Sequence, residues 1–164
     1  MTSARFLLIS ASVLSVFALF SVSAPTSSGK PVKNVGALWN LEEMTRCALN
    51  HSAWEYNNYG CWCGVGGSGI PIDGIDDCCM HHDKCYDAAV DDGDCYDVEI
   101  EYLDGYSWSC DNHVPSCSQD ASEAKCKKAL CQCDFNVVSC WAKFPAPSVK
   151  PSCKKMKKML DFHA

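Results

Sequence analysis

The sequence predicts a small, mainly α domain braced by disulfides, with an N-terminal helix, two long helices lying side by side, a glycine-rich loop and a short β-hairpin. Three observations carry that prediction. Fourteen cysteines all fall between Cys47 and Cys153. The stretches 76–87 and 121–144 contain neither glycine nor proline, and each sets cysteines seven residues apart, hence on one helical face. Glycines and Pro71 crowd the span Tyr59 to Asp73, which would interrupt a helix or a strand there.

The chain opens with a short positive leader, Met1 to Arg5, an uncharged apolar run from Phe6 to Phe20, and the small residues Ser21-Val22-Ser23-Ala24. That order marks residues 1–24 as a signal peptide cut after Ala24. The apolar run is shorter than the ~20 residues that cross a bilayer, so an exported protein is expected. Residues 25–36, rich in Pro, Ser, Gly and Lys, read as a propeptide or flexible arm ahead of a domain at 37–164. An even number of cysteines at this density in an exported chain implies seven disulfides. Zinc knuckles would show Cys-x-x-Cys pairs, and the sequence has none. Each cross-link contributes ~2–4 kcal/mol, so a modest core suffices.

The net charge of −6 is unevenly spread. Residues 73–104 hold twelve carboxylates against the single base Lys84, whereas 143–158 hold six lysines and no acid. An acidic surface without a general basic face excludes nucleic acid as the expected partner.

Leu38, Trp39, Leu41, Met44 and Leu49 recur at amphipathic spacing, which predicts a helix over 37–48. In 76–87, Cys78, His82 and Cys85 share a face; in 121–144, Cys126, Cys133 and Cys140 do. Two such faces can be riveted antiparallel, Cys78 with Cys140 and Cys85 with Cys133. A parallel pairing, Cys78 with Cys133 and Cys85 with Cys140, fits the spacing equally well. Between the helices, aromatic and β-branched residues from Tyr96 to Trp108 flank Asp104-Gly105 and suggest the hairpin.

The chemistry concentrates in Tyr59-Gly60-Cys61-Trp62-Cys63-Gly64-Val65-Gly66-Gly67 and Cys78-Cys79-Met80-His81-His82-Asp83-Lys84-Cys85-Tyr86. A glycine-rich loop can turn several carbonyls toward one point, and a hard cation such as calcium takes six to eight oxygens from carbonyls and carboxylates. His82 and Asp83 diverge by about 100° on a helix, so they address one cleft from two directions rather than forming a dyad. A neutral imidazole base needs its second nitrogen fixed. Asp134 is the candidate for that task if its neighbour Cys133 is bonded to Cys85.

This loop, the Cys-Cys-x-x-His-Asp-x-Cys-Tyr helix and the later Cys-x-Cys-Asp element resemble the secreted phospholipases A2, closest to the pancreatic type, over nearly all of Ala37 to Cys153. The resemblance implies one catalytic calcium ion held by the carbonyls of Trp62, Gly64 and Gly66 and by the Asp83 carboxylate. It makes His82 the base that activates water on the sn-2 ester, Asp134 its orienting partner, and Tyr86 and Tyr106 hydrogen-bond donors to that aspartate. It pairs Cys47 with Cys110, Cys61 with Cys153, Cys63 with Cys79, Cys78 with Cys140, Cys85 with Cys133, Cys95 with Cys126 and Cys117 with Cys131, and so selects the antiparallel register. Trp62 departs from the tyrosine usual in that loop; because the position contributes its carbonyl, metal binding is expected to survive. The implied partner is a phospholipid aggregate or membrane surface met peripherally by a monomer.

Trp39, Trp54 and Tyr56 are candidates for a rim touching that surface, and the tail 154–160, rich in lysine, for contact with anionic lipid. His81 reads as a surface residue, and His51, His113 and His163 stay outside the site. Asn50-His51-Ser52 fits the acceptor pattern for N-glycosylation. The same scaffold can serve as a non-catalytic binder or a structural calcium module, but a binder is expected to lack the histidine or the calcium aspartate, and His82, Asp83 and Asp134 are all present.

Overall fold

The computed structural model describes residues 36–96 and 105–153. The leader, most of the arm, the lysine-rich tail with His163, and the center of the anticipated 96–108 hairpin lie outside them.

Helix α1 spans Ala37–Leu49. Ala37, Asn40, Met44 and Cys47 follow one another at three- and four-residue steps and form its buried face. Asn50 ends it in the left-handed conformation, its backbone N–H bonded to the Arg46 carbonyl. Beyond that end, buried Glu42 draws the chain back: its carboxylate accepts from Ser52 Oγ at 2.9 and 3.0 Å and from the Ala53 N–H at 2.7 Å, while Arg46 pairs with it from one turn on.

Helix α2 spans Gly74–Asp91, two residues earlier than the sequence pattern alone suggests. The side chain of Asp73 caps it, accepting from the Asp76 N–H at 3.0 Å. The cap makes Gly74 a serviceable first helical residue. The third helix, α3, spans Lys125–Trp141 and packs against both α1 and α2. Cys78–Cys140 and Cys85–Cys133 join α2 to α3 with Cα–Cα distances of 5.7 Å each, the antiparallel alternative.

The described hairpin pairs β1, Trp108–Asp111, with β2, Val114–Cys117, in the register Trp108↔Cys117 to Asp111↔Val114. Its turn is Asn112-His113, with φ of 49° and 66°. Positive φ at both central residues is the tight turn whose twist matches paired strands. The hairpin therefore lies C-terminal to the segment around Asp104-Gly105 that the sequence singled out; residues 97–104 themselves are not described. Cys47–Cys110 ties β1 to α1, and Cys117–Cys131 ties β2 to α3. Cys61–Cys153, Cys63–Cys79 and Cys95–Cys126 complete the seven, and no cysteine is left free.

The core between the helices is small and rich in aromatics: Met44, Leu130 and Val138 pack with Tyr56, Tyr86, Tyr106 and Trp141. Tyr56 stacks on Trp141 with ring centroids 3.9 Å apart. Tyr56 is thus a packing residue, only 2 % exposed, and not the rim aromatic the sequence offered. Among the described residues no helix is long and apolar enough to cross a membrane.

Candidate active site

The antiparallel cross-links bring residues 52 positions apart into contact. His82 Nε2 lies 2.6 Å from Asp134 Oδ1. The same carboxylate accepts from the Tyr86 hydroxyl at 2.9 Å on Oδ1 and from the Tyr106 hydroxyl at 2.5 Å on Oδ2. Asp134 is fully buried, so these donors replace its water. Burial, and then the Asp134 charge, push the Tyr106 hydroxyl well above its ordinary pKa, which keeps its proton in place as a donor. An ionised carboxylate only accepts, so a neutral His82 carries its hydrogen on Nε2 and leaves Nδ1 with a lone pair.

Asn40 of α1 supports this group from behind, donating through Nδ2 to the Tyr106 carbonyl at 2.8 Å. Sequence reading assigned Asn40 no part, because its partner lies 66 residues away.

The loop before α2 is organised by a carboxylate that sequence reading also passed over. Asp76, fully buried, accepts from the N–H groups of Cys61 at 2.9 and 3.0 Å, Trp62 at 2.7 Å and Ile72 at 2.9 Å. Gly60 makes room for it: with φ of 64°, a Cβ there would overlap the Asp76 carboxylate. Tyr59 donates to Asp73, and residues 151–153 clamp the other side through Gly60 N–H to the Pro151 carbonyl at 2.7 Å and Cys153 N–H to the Gly60 carbonyl at 3.1 Å. The Trp62 indole crosses the loop, lying on Gly67 and donating to the Gly69 carbonyl at 3.2 Å, with the Lys84 ammonium 5.9 Å from its ring center.

His82 and Asp83 both line one cleft of about 430 Å³, together with Leu38, Leu41, Trp62, Gly64 and Trp141. Asp83 Oδ2 is buried there without a hydrogen-bond partner among the described residues. Burial above all, with Asp87 and Asp76 adding repulsion against the opposing pull of His82, raises the Asp83 carboxyl to about 6. A buried carboxylate oxygen left without a donor suits a cation. The loop carbonyls agree: Cys61 and Cys63 spend theirs on the N–H groups of Ser68 and Asn58, whereas those of Trp62, Gly64 and Gly66 accept no hydrogen bond among the described residues. One carboxylate plus neutral carbonyls is a hard-oxygen set that fits calcium. Among the described residues no cluster of three or more His, Cys, Asp or Glu side chains forms a competing metal site.

His81 faces solvent beside Asp77. His51 is pinned between the Leu49 carbonyl and the Tyr56 hydroxyl, each at 3.0 Å, and His113 meets the Cys47 carbonyl at 3.1 Å; both are structural.

Fold and site together define a disulfide-braced helical protein with a cleft-lining histidine on a buried aspartate beside an oxygen-lined loop. A sequence model of the phospholipase A2 family matches residues 38–154. The chain is 38% identical over 136 residues to a phospholipase A2 of Bos taurus, covering 81% of this chain and 90% of that protein. It is 39% identical over 112 residues to a phospholipase A2 of Oryctolagus cuniculus, covering 66% and 76%, and 36% identical over 132 residues to a basic phospholipase A2 of Micrurus corallinus, covering 80% and 87%. The chain belongs to the phospholipase A2 family.

Two consequences can be measured without substrate. Asp76→Ala strands three loop amides, each costing about 1–3 kcal/mol if it finds no other partner, so denaturant unfolding of the oxidised protein should show a loss above ~2 kcal/mol, against ~0.5 kcal/mol or less for exposed Asp87→Ala. The raised Asp83 pKa means the native, metal-free protein binds this proton more tightly than the unfolded chain. Its stabilising contribution is complete below the ordinary carboxylate range and is lost as pH rises through about 6. In chelator, Asp83→Asn should therefore gain stability relative to the parent between pH 4 and about 6; a constant difference across that window contradicts the assignment.

Proposed function

We propose that this protein is a secreted, calcium-dependent phospholipase A2 that hydrolyzes the sn-2 ester of glycerophospholipids to a lysophospholipid and a fatty acid. The observation that carries the reading is the pairing, in one cleft, of a His82 imidazole fixed by a buried carboxylate with the partnerless oxygen of Asp83.

His82 Nδ1 takes a proton from water, directly or through a second water, and the nucleophile so formed attacks the ester carbonyl without an acyl-enzyme. Asp134 keeps the imidazole in the Nε2–H form during the approach and stabilises the imidazolium that results. The proton then passes from Nδ1 to the departing lysophospholipid oxygen. Asp83 and the carbonyls of Trp62, Gly64 and Gly66 would hold calcium, and the Gly64 amide would help bind the oxyanion. Calcium, when bound, supplies Lewis-acid polarization of the carbonyl and a counter-charge for the phosphate.

Leu38, Trp39, Trp54, Val65 and Ile70 are exposed apolar residues, and Leu38, Trp54 and Val65 also line the cleft. That rim supports peripheral docking on aggregated lipid, with the cleft mouth against the surface. The density of disulfides supports export, and the 1–24 leader supplies the route.

Three variants separate the roles. His82→Gln should lose about 10²–10⁴-fold in fatty-acid release from vesicles while calorimetry shows calcium binding close to the parent's. Asp83→Lys should lose both, because it points a cation at the metal position. Asp134→Asn should keep calcium and fall between parent and His82→Gln in rate. Parent activity should vanish in chelator and return with calcium, with poor rescue by magnesium, which demands near-ideal octahedral geometry. Parent-level release by His82→Gln would show that the base is elsewhere.

A further inference from the structure

We infer that Asn50 is an N-linked glycosylation site whose occupancy is set by a race with folding of the turn after α1. The inference rests on the export reading, since the transferring machinery lies in the secretory pathway. Asn50-His51-Ser52 is the sequence's single Asn-x-Ser/Thr triplet.

In the fold, Asn50 is an exposed residue on the protruding left-handed cap of α1, with φ of 58°. Its backbone N–H is held by Arg46, but its side-chain amide makes no hydrogen bond among the described residues. A sugar on Nδ2 therefore displaces no native interaction, and the finished protein can carry it. Asn50 stands twelve residues along α1 from cleft-lining Leu38, roughly 18 Å at the helical rise, and four residues before Trp54 at the cleft's rim.

Ser52 is placed differently. Its hydroxyl, which the transferring enzyme must read, donates to the Glu42 carboxylate at 2.9 and 3.0 Å and accepts from the Trp54 N–H at 3.2 Å. Glu42 is only 6 % exposed, and the His51 ring between the two sequon residues is pinned at both nitrogens. The folded turn thus presents the acceptor amide but engages the half-buried hydroxyl in hydrogen bonds. Transfer has to occur while the segment is still open, before Cys47–Cys110 closes a separation of 63 residues three positions upstream.

The chemistry balances with a polyprenyl-diphosphate-linked oligosaccharide as donor. Asn50 Nδ2 forms a bond to the anomeric carbon, the bond from that carbon to the diphosphate oxygen breaks, and the lipid diphosphate leaves with the electron pair. The amide gives up one proton.

The test expresses the full chain in cultured animal cells, once with its own leader and once with residues 1–24 replaced by an established secretory leader. Protein is digested with peptide-N-glycosidase, which converts a glycosylated asparagine to aspartate, and the Asn50 peptide is read by mass spectrometry. The expected result is a mixture of occupied and empty Asn50, loss of the modification in Asn50→Gln and in Ser52→Ala, and a rise in the occupied fraction when mild dithiothreitol slows disulfide closure. Unmodified Asn50 in protein exported by the established leader overturns the site. Complete occupancy without reductant, or no rise with it, overturns the race with folding. Failure of the natural leader alone to export the chain, with Asn50 occupied under the other leader, overturns only the export reading and leaves the site standing.

Discussion

The antiparallel riveting of α2 to α3 is the constraint on which the rest depends. Cys78–Cys140 and Cys85–Cys133 bracket His82 on one helix and Asp134 on the other, so the two side chains meet at 2.6 Å without relying on their own attraction. That independence matters because a buried carboxylate is costly unless its lone pairs are filled. Tyr86 and Tyr106 fill the remainder, and Asn40 fixes Tyr106 from α1. Helix α1 is thereby tied to the rear of the His82–Asp134 pair while its first turn borders the cleft through Leu38.

Three aspartates in this small domain reach different ends because their surroundings offer different donors. Asp134 receives two hydroxyls and an imidazole; Asp76 receives the backbone amides of Cys61, Trp62 and Ile72. Both are satisfied by the protein itself. Asp83 has a buried oxygen with no donor and a carboxyl raised to about 6 by burial, the condition in which an external cation contributes most. The two kinds of carboxylate are coupled through the backbone: by drawing the amides of Cys61 and Trp62 to one side, Asp76 shapes the segment whose carbonyls at Trp62, Gly64 and Gly66 remain unspent. Disulfides at Cys61 and Cys63 hold that segment to Cys153 and to Cys79 of α2.

What the sequence disclosed was the part written as periodicity and motif. Cysteines at seven-residue spacing marked two helices and the face that carries His82, and the glycine-rich loop declared itself as irregular backbone. What it concealed was contact between residues far apart in the chain. Asp76 looked like one acid among twelve because its partners are main-chain amides up to fifteen residues back, which leave no mark on composition. Asn40 was hidden for the same reason, whereas Tyr106 was named by the resemblance alone and stands against Asp134. The turn of the described hairpin escaped because Asn112-His113 adopts positive φ without the glycine that ordinarily signals it. Tyr56 resembled an interfacial aromatic until its stacking on Trp141 and its bond to His51 accounted for it.

The central claim is that buried Asp134 holds His82 in one tautomer, leaving Nδ1 as the base. Nitrogen-15 NMR of the histidine ring in the resting protein above the imidazole pKa reads this directly. The account predicts a proton on Nε2, shifted by its bond to Asp134 and absent from that environment in Asp134→Ala, with Nδ1 unprotonated. A resting protein whose His82 carries its proton on Nδ1 would contradict it.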